Sequence, residues 1–172
     1  IFKKNQKVKI EGASEVRKLF TFFSSINAEN YIFVFVRTTI MKKEIQILSD
    51  IKNLRLVENL VDEVAKEIGI QNSAYGNFLV SVIEAVNNSI VHGNKQDPSK
   101  YVHVTIEKEG GILKVSVSDE GNGFDYLSLP DPTAPGNVEN ISGRGIFLMK
   151  TLADKVDFEE NGAKVNMEFN IA

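Results

Sequence analysis

The stretch Val82-Ile-Glu-Ala-Val-Asn-Asn-Ser-Ile-Val-His-Gly-Asn94 constrains this chain more than any other. Read as a helix, it sets Glu84, Asn88 and His92 at i, i+4 and i+8, a polar stripe drifting slowly round one face. Val82, Ile83, Val86 and Ile90 take up much of the remaining surface, which predicts a largely buried helix. A carboxylate and a carboxamide one turn apart on such a helix are costly unless something polar faces them. Water or neighbouring backbone meets that need in the simplest case. Two glycine-rich stretches further on, Asp119-Glu-Gly-Asn-Gly-Phe and Ser142-Gly-Arg-Gly-Ile, suggest a ligand instead.

Length and composition bound the alternatives. A chain of 172 residues is one domain, with room for an appendage, and is large enough for a proper core. It has no cysteine, hence no disulfide framework and no thiolate metal site, and a reducing cytoplasm fits. Two histidines, His92 and His103, are too few for a usual zinc site. The net charge of −3 is uneven: residues 1–40 carry +4 and residues 41–172 carry −7. An acidic main domain argues against direct nucleic-acid binding, which needs a basic footprint. The longest apolar run, Tyr31-Ile-Phe-Val-Phe-Val36, falls far short of the ~20 residues of a membrane span.

Residues 1–40 hold six of the eleven phenylalanines and no recognisable motif. Glu15 to Phe23 fits a short helix and Tyr31 to Arg37 a strand. The segment suits a docking extension, an extra edge strand or a start-site artefact, and the main domain is expected over 41–172. Glu44 to Leu48 alternates as a strand. Asp50 or Asn53 can cap a helix in which Leu54, Val57, Val61, Val64 and Ile68 recur at three and four, ending at Gly69. Asn72 or Ser73 caps the central helix, which runs to about His92-Gly93. Val102, Val104 and Ile106, then Gly110-Gly111, then Leu113, Val115 and Val117 read as a hairpin that delivers Asp119 at its end. Tyr126 to Ile141 is proline-rich and loop-like. Ile146 to Ala153 reads as a helix, and Val156 to Phe158 and Val165 to Ile171 as strands joined by an Asn161-Gly162 turn. The order β-α-α-β-β-loop-α-β-β predicts a two-layer α/β sandwich, its mixed, largely antiparallel sheet covered by helices on one face.

Three boxes in order, Glu84-Ala-Val-Asn-Asn88 with His92-Gly93, Asp119-Glu-Gly-Asn-Gly-Phe-Asp125 and Ser142-Gly-Arg-Gly-Ile-Phe-Leu-Met149, resemble the asparagine box and two glycine boxes of the GHKL (Bergerat-fold) ATPases. The nearer resemblance is to the RsbW/SpoIIAB-type anti-sigma-factor serine kinases, from about Met41 to the C-terminus. That resemblance implies ATP and Mg²⁺ as cofactors. It implies a protein serine kinase that holds a sigma factor inactive, or phosphorylates a serine on a STAS-domain anti-anti-sigma factor. Family members commonly dimerise, so a homodimer is compatible with it. The rival readings are a GHKL-like binding module that sequesters a regulator and transfers nothing, and the catalytic domain of a histidine kinase. The second needs an upstream phospho-acceptor histidine, and the first 71 residues have none.

Residue by residue, the resemblance makes Glu84 the general base and Asn88 the magnesium ligand, a neutral oxygen that does not repel a triphosphate. Asn87 points about 100° away and receives no metal role. His92 either reaches the phosphates or caps the helix end. Asp119 matches the aspartate that accepts a hydrogen bond from the adenine amino group, although a strand-end carboxylate beside glycines also suits a plain turn. Gly121 and Gly123 let backbone approach a planar base or take positive φ. Gly143 and Gly145 precede an apolar helix, so its N–H groups can face phosphates. Arg144 contacts phosphate or partner, or is a solvated surface arginine. Tyr126 to Ile141 corresponds to the family's ATP lid. Neither a P-loop nor a dinucleotide fingerprint occurs, and the Asp119 loop lacks the oxygen ligands of a calcium loop. One departure stands out: the family often carries Thr or Ser near the adenine where this chain has Ala163.

Overall fold

Among the described residues a five-stranded sheet carries the fold, in the order β1-β2-β3-β5-β4. The computed structural model describes residues 41–70, 72–126 and 143–171. The readings of residues 1–40 and of the proline-rich loop after Tyr126 therefore lie outside the described residues. The strands are β1 (Met41–Leu48), β2 (Tyr101–Glu109), β3 (Ile112–Asp119), β4 (Lys155–Glu159) and β5 (Lys164–Asn170). All four pairings are antiparallel, so among the described residues the sheet is more uniform than the mixed one expected.

Alternation does the sorting. Ile47, Val102, Val104, Ile106, Leu113, Val115, Val117, Val165, Met167 and Phe169 are buried on one face. Their neighbours in sequence line the other face. There the register sets Lys42, Glu107, Lys114, Glu168 and Lys155 side by side across all five strands, a row of alternating charge that suits a solvated face. The helices α1 (Leu54–Ile68), α2 (Asn72–Asn88) and α3 (Arg144–Leu152) share the apolar core.

Helix α1 buries Val57, Val61 and Val64 of the stripe that its spacing predicts, with Ala65 beside them, while Leu54 and Ile68 at its ends are partly buried. It stops at Gly69, whose φ of 67° is left-handed, with the Ile70 N–H returned to the Ala65 carbonyl at 3.1 Å. Asp50 caps not α1 itself but the short 3₁₀ turn leading into it, Ile51–Asn53, by accepting the Lys52 N–H. Helix α2 buries Phe78, Val82, Ala85 and Val86. Phe78 meets Phe169 of β5 edge-on at 5.6 Å, which locks helix to sheet; aromatic side chains so buried are worth about 3–5 kcal/mol against alanine. Among the described residues no helix is long and apolar enough to cross a membrane.

Candidate functional site

The central helix does not run straight to His92. After Asn88 it widens into a π-helical turn, Ser89–Gly93, closed by the Asn94 N–H on the Ser89 carbonyl at 2.8 Å. One extra residue in the turn rotates the residues beyond it, so the predicted stripe holds for Glu84 and Asn88 and breaks before His92. His92 is exposed and does not line the cleft that Asn88 and Asp119 share. Ser89 turns inward and is buried.

That turn is shaped around Asp119. The Gly121 N–H donates to the Asp119 Oδ1 at 2.8 Å, and the Ser89 hydroxyl sits near the carboxylate and favours its charged form. Gly93 lies so close that a Cβ there would overlap both carboxylate oxygens. The Asp119 N–H is tied in turn to the Ala163 carbonyl at 3.0 Å. Burial pushes the Asp119 carboxyl above its ordinary range, and the donors from Gly121 and Ser89 offset only part of that rise. The sequence marked Asp119, but nothing in its pattern pointed to Ser89 or to the reason for Gly93.

The glycines of the first loop pack against the protein's own backbone. A Cβ at Gly121 would strike the Gly93 carbonyl, and one at Gly123 would strike the Asn161 carbonyl. Gly123 also has φ +74°, and the next residue, Phe124, donates its N–H to that Asn161 oxygen at 2.8 Å. The loop is thus seated on the β4–β5 turn, where Glu160 and Asn161 both take left-handed φ.

Gly143 stands at the N-cap of α3 with φ 84°. Helix α3 begins two residues earlier than its apolar pattern suggests, and this brings Gly145 against α2. A Cβ on Gly145 would sit 2.6 Å from Glu84 Oε2 and 3.0 Å from Asn88 Nδ2. Glu84 and Asn88 are both half-buried and face the first turn of α3. Arg144 is exposed and does not line the cleft.

Between these parts lies a narrow, partly open cleft. Ala85, Ile146, Met149 and Val165 give it apolar walls, while Asn88 and Asp119 supply polar groups. Phe124 and Phe158, which also line it, form an aromatic cluster with Tyr126; Phe158 and Tyr126 stack at 4.7 Å. An apolar slot with a carboxylate at one position suits a planar heterocycle bearing a hydrogen-bond donor. Ala163 lines the same cleft and is buried. A hydroxyl there would face the slot, and Ala163→Thr is expected to tighten ATP binding about two- to tenfold, the worth of one neutral hydrogen bond, as read by calorimetric titration.

Residues 47–169 match the family model for the histidine kinase-like ATPase domain. The chain belongs to that family. Among curated proteins, the anti-sigma F factor of Geobacillus thermodenitrificans is 35% identical over 97 residues, which cover 53% of this chain. The chain spans just under two thirds, 66%, of that relative. The serine-protein kinase RsbW of Staphylococcus epidermidis is 26% identical over 132 residues, covering 72% of this chain and 83% of RsbW. A crystal structure of the RsbU and RsbW domains of a Mycobacterium tuberculosis protein superposes with a TM-score of 0.54 at 18% identity. It covers 75% of this chain but only 31% of that one, and bears on the fold. The fold of this histidine kinase-like ATPase domain is thus the α/β sandwich that the three boxes implied, and its family implies ATP as the nucleotide.

Proposed function

We propose that the chain is an ATP-dependent protein serine kinase and anti-sigma factor of a bacterial partner-switching system, acting on a serine of a STAS-type anti-anti-sigma factor. The observation that carries this reading is the meeting of Glu84, Asn88 and Gly145: a carboxylate and an amide one turn apart, both against the first turn of a helix. A helix N-terminus offers unpaired N–H groups to phosphate oxygens. Adenine then fits the apolar slot with its amino group on Asp119, and the phosphates extend toward Asn88, Gly143 and Gly145. Arg144 and His92, both exposed, remain candidates for phosphate or partner contact only in the nucleotide-bound state.

The chemistry assigned to the chain's own residues is short. Glu84 takes the proton of the acceptor serine hydroxyl. The serine oxygen attacks the γ-phosphorus, the bond from that phosphorus to the β–γ bridging oxygen breaks, and ADP leaves with its electron pair. Among the described residues no three carboxylate, histidine or cysteine side chains cluster as a metal cage. The donor set still suits Mg²⁺, which keeps waters and phosphate oxygens and needs as little as one protein oxygen, here the side-chain oxygen of Asn88. When bound, the ion would neutralise charge on the phosphates.

Mixing the chain with ATP, Mg²⁺ and a candidate STAS protein tests the reading. Phosphoserine on the STAS protein, and ATP binding that loses its magnesium dependence in Asn88→Ala, are the expected results. Magnesium dependence unchanged by Asn88→Ala would remove that residue from the metal site. Ala163 favours one other reading, a nucleotide-binding regulator that sequesters a sigma factor without transfer; saturable ATP binding with no phosphoserine would support it.

A further inference from the structure

The fully buried side chain of Asn94 lies outside the cleft, yet three other segments converge on it. Its Nδ2 donates to Ser49 Oγ at 2.6 Å, just past β1, and to the Tyr101 carbonyl at 2.8 Å, at the start of β2. Its Oδ1 accepts the N–H of Glu120 at 2.9 Å, the residue immediately after Asp119. Glu120 closes a ring by accepting the Tyr101 N–H on its own Oε2 at 2.8 Å. The Lys100 ammonium donates to the Glu120 carbonyl at 3.1 Å. Glu120 is therefore held through its N–H, its carbonyl and its carboxylate, although its side chain is exposed.

The hydrogen bond that holds the Asp119 carboxylate adjoins this ring: it comes from the N–H of Gly121, the residue after Glu120. The buried Ser89, which also favours the charged carboxylate, is tied to the same ring by its carbonyl, which accepts the Asn94 N–H. A hydrogen-bond acceptor that must select one donor has to be held to within about half an ångström, and a fully satisfied buried amide is a rigid way to do so. A merely stabilising amide needs no such convergence on a single loop.

We propose that Asn94 and Glu120 are positioning residues for base selection: their ring with Tyr101 sets the loop carrying Asp119, and so the preference of Asp119 for a base with an amino group over one with a carbonyl oxygen in that place. The inference rests on the reading of Asp119 as the adenine acceptor. Neither residue lines the cleft.

The test is the ratio of ATP to ITP affinity, measured calorimetrically with Mg²⁺ on the unmodified chain and on Asn94→Ala and Glu120→Ala, with a thermal melt of each. Inosine carries oxygen where adenine carries the amino group, so the unmodified chain is expected to favour ATP about tenfold or more. Each variant is expected to lose about threefold or more of that ratio, with ITP affinity changed less than ATP affinity. A purely structural role would lower the melting temperature and leave the ratio of the folded molecules untouched; that result overturns the proposal. Glu120 is exposed, so Glu120→Ala decides the matter alone if Asn94→Ala does not fold. An unmodified chain that fails to distinguish ATP from ITP would overturn the reading of Asp119 itself, an outcome distinct from variants that keep full discrimination.

Discussion

Glu84→Gln is expected to lower phosphoryl transfer by about 10²- to 10⁴-fold, the range associated with loss of a general base. The substitution keeps the size of the side chain, so its fit beside Gly145, where Glu84 Oε2 stands 2.6 Å from an ideal Cβ position, is preserved. What it removes is the ability to take a proton. Glu84 does not line the slot assigned to adenine, so ATP affinity is expected to stay within about threefold of the unmodified chain, well under 1 kcal/mol. Single-turnover transfer to a STAS protein and calorimetric ATP binding separate the two effects. Transfer at the original rate would refute the base assignment. Parallel loss of binding and transfer would make Glu84 a binding residue instead.

Asp119→Asn is expected to do two opposite things. Loss of a charge-assisted hydrogen bond to the adenine amino group, worth about 1.5–3 kcal/mol, weakens ATP binding about 10- to 150-fold. Stability without nucleotide moves the other way. Burial raises the Asp119 carboxyl above its unfolded value, so the fold binds that proton more tightly than the unfolded chain does. Its favourable contribution is present below the unfolded value, near pH 4, and is lost as the pH rises through the folded one. At pH 7 the carboxylate is therefore a liability, and an asparagine relieves it. Without ATP, Asp119→Asn should be more stable than the unmodified chain at pH 7, with the gap closing below about pH 4. Urea midpoints at the two pH values check this. A variant equally destabilised at both would mean that the contacts of Asp119 with Ser89 and Gly121 outweigh its desolvation.

That opposition between affinity and stability is what a ligand-binding carboxylate on a buried strand end should display. A group placed only to finish a turn would be better solvated. The Gly121 N–H holds Asp119 at the cleft, where burial raises its carboxyl, and under the proposed reading adenine would offset that cost.

Much of this was legible in the chain itself. The spacing of Val57, Val61 and Val64 predicts α1 and its buried face, and the alternation of Val102 to Ile106 and Leu113 to Val117 about Gly110-Gly111 predicts the hairpin that ends at Asp119. These are local signals: each residue's face follows from its neighbours' period alone. The three boxes likewise identified the fold and nominated Glu84, Asn88, Asp119 and the glycines. The π turn was not legible, because a polar residue four positions after Asn88 continues an α-helical stripe as well as it breaks one. Nor was the duty of Gly93 and Gly121, which face each other and Asp119 across a gap that exists only once helix and hairpin have packed. Asn94 reads in sequence as an ordinary polar residue after a helix. Only the tertiary structure buries it and gives it Ser49, Tyr101 and Glu120 as partners. Period and propensity report how a segment lies about its own axis; which distant segment meets it depends on how both pack, and no local pattern carries that information.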